Sequence, residues 1–155
     1  GQLVAKAICN WALVDTVTGK LIASKDYDMG TYSMDEAPEL SIPRRFRIPK
    51  ELKFQEVESS KVAMSMIDIN MHMNNTVYAS KLYDNIDDAE KYFITSINLR
   101  YVHEAPLGSE FKVYRSDAVD PGEMDCRAEK LVYFYTEADG LLNLEAAVGL
   151  KKVII

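Results

Sequence analysis

One short helical repeat followed by four alternating segments constrains this chain more than any other feature. Tyr78, Leu82 and Ile86 fall at i, i+4 spacing with Val77 beside them, which predicts a helix over Asn75 to Ile86. Downstream, Phe93 to His103 alternates, with Ile97, Leu99 and Tyr101 on one face. Glu110 to Ser116 places Phe111 and Val113 together, and Met124 to Thr136 is rich in Tyr, Val and Phe. Asp139-Gly140 is a hairpin signal, because a tight turn between right-twisted strands needs positive φ at both central residues. Beyond it, Leu142 to Ile155 puts Leu142, Leu144, Ala146, Val148, Leu150 and Ile154 on one face. One helix and a run of long antiparallel strands is an α+β layout, expected to wrap the sheet around the helix. The chain has 155 residues, 48% of them hydrophobic, enough for one sizeable core.

The densest chemistry lies at the start of that helix. Ser65 to Tyr78 alternates Asp68, Asn70 and His72 with Ile69, Met71 and Met73, and Asn74 and Asn75 follow at once. Polar groups cost roughly 1–3 kcal/mol each if buried without partners, so a stretch that gathers them is using them. Lys61 to Ile67 reads as a strand leading into it. Asn74 or Asn75 is placed to cap the helix, where free N–H groups and the positive end of the dipole can hold a developing negative charge. The plainer reading is that the asparagines are caps and turn formers and that His72 is structural.

Other classes recede on composition. A net charge of -6 argues against a nucleic-acid partner, since phosphate contacts need clustered Lys and Arg. No apolar run approaches the ~20 residues of a membrane span, and no secretory pattern opens the sequence, so no membrane partner and a cytoplasmic location are expected. Cys9 and Cys126 have no metal-like spacing and read as reduced, buried thiols. No motif for a metal or a cofactor is present, so neither is expected. Leu3 to Val14 reads as a strand, Asp15 to Lys20 as a turn, and Leu21 to Ser24 as a returning strand. From Asp26 to Pro49 the chain carries three prolines and little apolar periodicity, including Arg44, Arg45 and Arg47, and reads as a linker.

The run Ser65-Met-Ile-Asp68-Ile-Asn70-Met-His72-Met-Asn74-Asn75-Thr-Val-Tyr78 resembles the active-site signature of acyl-ACP thioesterases, Ser-Asp-x-Asp-x-Asn-x-His-x-Asn-Asn-x-x-Tyr. Leu99-Arg-Tyr-Val-His-Glu104-Ala-Pro-Leu-Gly108 is similar to the family's second motif, a strand ending in Tyr-x-x-Glu. Trp11-Ala-Leu-Val-Asp15-Thr-Val-Thr-Gly19-Lys20 looks like the close of the family's first hotdog domain. Met66 stands where the signature has its first acid, and Ala105 follows Glu104 where plant members have Cys. The match therefore looks bacterial, and no thiol nucleophile is expected.

The resemblance implies a hotdog fold, with 1–25 as terminal strands of a first hotdog, 26–58 as linker and 59–155 as a complete second one. It implies hydrolysis of fatty acyl-ACP to free fatty acid, with acyl carrier protein as partner and a homodimer left open. Asp68, Asn70, His72 and Glu104 would form the catalytic set and Asn74 and Asn75 would bind substrate. Glu104 or Asp68 would serve as base with His72, and free helix N–H groups as part of an oxyanion hole. Two alternatives stand beside this reading: a hotdog that binds an acyl thioester without hydrolysing it, and a structural dimer whose motif merely caps its helix.

Overall fold

The structure, a computed structural model, describes residues 4–26, 47–122 and 127–153. The chain divides into two compact units, Gly1–Arg44 and Arg45–Ile155. In the first, β1 (Leu13–Val14) pairs antiparallel with β2 (Leu21–Ile22). The turn between them closes through Asp15, whose carboxylate accepts from the amides of Val17 and Thr18 and from the Thr18 hydroxyl. Gly19 takes φ +67° there, a conformation open to glycine. The expected strand over Leu3 to Val14 shrinks to two residues, and the expected return over Leu21 to Ser24 ends at Ile22 in a 3-10 turn. Trp11 is 80% exposed and Cys9 is exposed rather than buried. A two-stranded ribbon covers too little apolar surface of its own to order longer strands.

The second unit holds β3 (Phe54–Lys61), α1 (Asn75–Asp84), β4 (Tyr92–Tyr101), β5 (Glu110–Ser116), β6 (Lys130–Ala138) and β7 (Leu141–Lys152). The five strands form one antiparallel sheet in the order β3-β5-β6-β7-β4. The helix and β5 stand where the sequence put them, and Asp139 and Gly140 turn β6 into β7 with φ +50° and +78°. Leu82 and Tyr78 from α1, with Ile86 just beyond it, share one buried cluster with Phe111, Val113, Phe134, Leu144 and Val148 of the sheet. Burying a large side chain of this kind stabilises by roughly 1.5–3 kcal/mol, so this face holds the helix to the sheet.

One expectation about the chain before α1 needs correction. The strand read over Lys61 to Ile67 is instead β3, ending at Lys61, and Met64–Met66 forms a 3-10 turn. As an edge strand, β3 exposes half of its residues and shows no clean alternation. Its first five residues fall in the interval read as linker. So do Ile48 and Leu52, which pack with Phe54 and Val119 against Leu131, Tyr133 and Ala147 on the sheet's second face. The starts of the Met124 strand, Cys126, Arg44, Arg45 and the end of the last strand at Ile154 and Ile155 lie outside the described residues.

Candidate active site

The site is assembled by the crossover from β4 to β5, which runs across the end of the sheet. Leaving β4, the amides of Val102 and His103 both donate to the carbonyl of Asn143 in β7. Next, His72 and Pro106 form an antiparallel bridge, secured by Met73 N donating to Ala105 O and Leu107 N to Met71 O. The crossover then reaches the residue just past β3, where Val62 exchanges hydrogen bonds with Gly108 and Ser109. Glu104 is thus carried past His72, far from it in sequence, by backbone pairing rather than by side-chain attraction. The His72 Nδ1 and a Glu104 carboxylate oxygen lie 3.2 Å apart.

The loop bearing His72 is a tight hairpin of its own. Ile67 and Met73 form an antiparallel bridge, Asp68 N donates to His72 O, and Met71 N donates back to Asp68 O with φ +63° at Met71. Asp68 accepts the Asn70 amide N–H on its side chain at 2.8 Å, the Asx turn that lets the loop reverse. The four expected catalytic residues therefore divide. His72 and Glu104 are paired, whereas Asp68 and Asn70 are joined to each other through the Asn70 backbone, with Asn70 exposed. The His72 side chain is 33% exposed and that of Glu104 72%, so the pair faces solvent from a half-sheltered base.

Asn74 is the helix cap, its side-chain oxygen accepting from the Thr76 amide at 2.9 Å and the Thr76 hydroxyl at 2.8 Å. Val77 N donates to the Asn74 carbonyl. Two first-turn amides expected to be free are thus engaged, which leaves the Asn75 N–H. Asn75 is exposed, and its carbonyl accepts from the Tyr101 hydroxyl at 3.2 Å. His103 turns away from the pair, its Nδ1 lying 2.8 Å from the Leu142 carbonyl.

Beneath the pair lies a buried polar network, two of whose members, Asn143 and Thr136, sequence reasoning missed. Tyr78, 2% exposed, packs edge-on against Tyr101 and Phe111. Its hydroxyl accepts from Asn143 Nδ2 at 3.1 Å, and Asn143 Oδ1 accepts from the Thr136 hydroxyl at 2.7 Å. Burial pushes the Tyr78 hydroxyl above its ordinary pKa; the Asn143 hydrogen bond opposes this and the negative charge of Glu104 adds to it. The one sequence signal was a polar residue between Leu142 and Leu144 in an otherwise apolar run. Among the described residues no group of His, Cys, Asp and Glu is arranged to hold a metal ion, and no helix is long and apolar enough to cross a membrane.

Residues 50–135, more than half of the chain, match the model of the acyl-ACP thioesterase C-terminal domain. The chain belongs to the acyl-ACP thioesterase family. Solved structures agree on the hotdog fold. An acyl-ACP thioesterase from Bacteroides thetaiotaomicron VPI-5482 superposes with a TM-score of 0.67 at 19% identity, over 89% of this chain and 53% of that one. The 12:0-ACP thioesterase from Umbellularia californica gives 0.68 at 17% identity, over 90% of this chain and 52% of that one. The chain therefore spans about half the length of these acyl-ACP thioesterases. No curated protein sequence matches it.

Proposed function

We propose that this chain carries the hydrolytic site of an acyl-ACP thioesterase, with His72 and Glu104 activating the attacking water. The observation that carries the reading is the 3.2 Å pairing of His72 with Glu104 beside the start of α1, inside the part of the chain that matches the family. Glu104 is favoured over Asp68 as the base, because Asp68 already spends an oxygen on the Asn70 amide. In this reading the pair takes a proton from water as its oxygen attacks the thioester carbonyl carbon. The carbonyl oxygen becomes an oxyanion, for which the Asn75 N–H at the positive end of α1 is the proposed donor. The C–S bond then breaks, the proton passes to the departing sulfur, and free fatty acid and thiol leave. Asn70 and Asn75 side chains are the proposed substrate contacts, while Asn74 acts through its cap.

The same proposal extends the domain boundary from residue 59 back to the start of β3 and has the sheet wrap around α1. Acyl carrier protein is the proposed carrier, the cytoplasm the proposed compartment, and a homodimer of such domains one assembly compatible with it. The test is release of free thiol from acyl-ACP and acyl-CoA, followed with a thiol-reactive dye. Release with acyl-ACP preferred supports the reading. A ligand-dependent rise in melting temperature with no thiol release replaces it with a non-hydrolytic binding module.

A further inference from the structure

We infer that Asn143 is a positioning residue for the proposed hydrolysis, its carboxamide fixing the backbone that presents Glu104 to His72. The inference rests on the proposed function and goes beyond it, since Asn143 lies in neither motif of the family signature. Between β6 and β7 the register slips: Thr136 stands opposite Leu144, but Glu137 stands opposite Leu142. Asn143 is the extra residue of this β-bulge, and the bulge turns its side chain into the interior, where it is fully buried.

Every polar atom of that side chain is used. Nδ2 donates to the His103 carbonyl, the peptide group joined to Glu104, and to the Tyr78 hydroxyl of α1. Oδ1 accepts from Thr136, which fixes the amide orientation; the flipped amide would set two acceptor oxygens against each other at His103. The Asn143 carbonyl takes the amides of Val102 and His103 as well. Four hydrogen bonds thus run from one bulged residue to the segment leaving β4 and to α1, and a fifth, from Thr136 of β6, orients its amide. The Glu104 side chain itself is mostly exposed, so its position follows from where the backbone beside it is anchored. Aspartate at position 143 would replace the donor with a buried charge facing a carbonyl oxygen, which explains the amide.

A merely structural asparagine and a positioning one differ in a double-mutant cycle on turnover. Misplacement of a reacting group by an ångström costs on the order of 10²-fold, so Asn143→Ala is expected to lower kcat by about that factor with KM little changed. In a Glu104→Ala background, where there is no carboxylate to position, it is expected to cost almost nothing further. Thr136→Val, which keeps the volume but removes the orienting hydroxyl, is expected to repeat the pattern with a smaller loss and decides the matter if Asn143→Ala does not fold. Full additivity of either substitution with Glu104→Ala overturns the inference. A second readout needs no turnover: the ¹⁵N signals of the His72 ring, which Glu104→Ala should move and Thr136→Val should move the same way. If those signals move together but no variant or wild type releases thiol, the proposed function falls and the positioning stands. If Thr136→Val leaves them in place while Glu104→Ala shifts them, the positioning falls.

Discussion

At the C-terminal end of α1, Glu58 of β3 receives Lys81 and Asn85, while Arg115 of β5 holds the Asn85 carbonyl at 2.7 Å and both oxygens of Asp87. At the N-terminal end the anchors are neutral: the Asn74 cap, the Tyr78 hydroxyl and the Asn143 amide. The His72–Glu104 pair there ties one loop to another and leaves the carboxylate mostly in water. Charge at the first end is spent on fastening the helix. At the second end neutral groups fasten it, and the charge is left facing solvent, where a substrate can reach it.

Variants along α1 can break or sharpen this contrast. Leu82→Ala, at the buried middle of the helix, should loosen both ends together. A loss of about 2–5 kcal/mol in denaturant unfolding is expected, with turnover falling as well. Arg115→Ala should cost about 1–3 kcal/mol, because the Asn85 carbonyl loses a charged donor, yet turnover per folded molecule should stay within twofold. A turnover loss there as large as that of a His72 variant would erase the distinction between the ends.

Asn74→Ala removes a cap worth about 1 kcal/mol, and because the cap orders the first turn, kcat should fall while KM holds. An equal change in both would assign Asn74 to substrate binding instead. The smallest effect tests the fastening charge. Burial pushes Glu58 up, but Lys81, Asn85 and Ser60 together bring it below its ordinary value of 4.5. A depressed carboxylate stabilises the fold above its unfolded pKa and loses that contribution as pH falls through the folded one. Glu58→Gln should therefore be less stable than wild type at pH 7 by about 1 kcal/mol or less. The gap should close as pH falls below 4.5; a gap constant from pH 7 to 3 would remove Glu58 from the fastening role.

What the sequence made legible was local. Tyr78 and Leu82 marked the helix, Asp139-Gly140 marked the last hairpin, and alternation in Glu110 to Ser116 gave β5 its bounds, because each pattern is set by near neighbours. β3 was misplaced because its order comes from pairing with β5, distant in the chain, which leaves little alternation in its own residues. The opening strand was overextended for the converse reason: apolar residues such as Val4 and Ile8 suggest a strand but do not supply its partner. At the site, His72 stood out in the alternating polar run and Glu104 was named on a family resemblance, but the backbone bridge that joins their segments left no mark in composition. Asn143 stayed hidden because a bulge is a relation between two strands. One polar residue in an apolar run signals it weakly.

The central claim is that the His72–Glu104 pair is the working site rather than a surface ion pair. Thiol release from an acyl thioester by His72→Ala, Glu104→Ala and His103→Ala, each compared with wild type and with its own melting temperature, tests this directly. The account predicts losses of about 10²–10⁴-fold for His72→Ala and Glu104→Ala at nearly unchanged melting temperature, the range for removal of acid–base groups. His103, whose ring lies against the Leu142 carbonyl, should be dispensable to within a few-fold. Full activity in His72→Ala together with inactivity in His103→Ala would contradict the account at its centre.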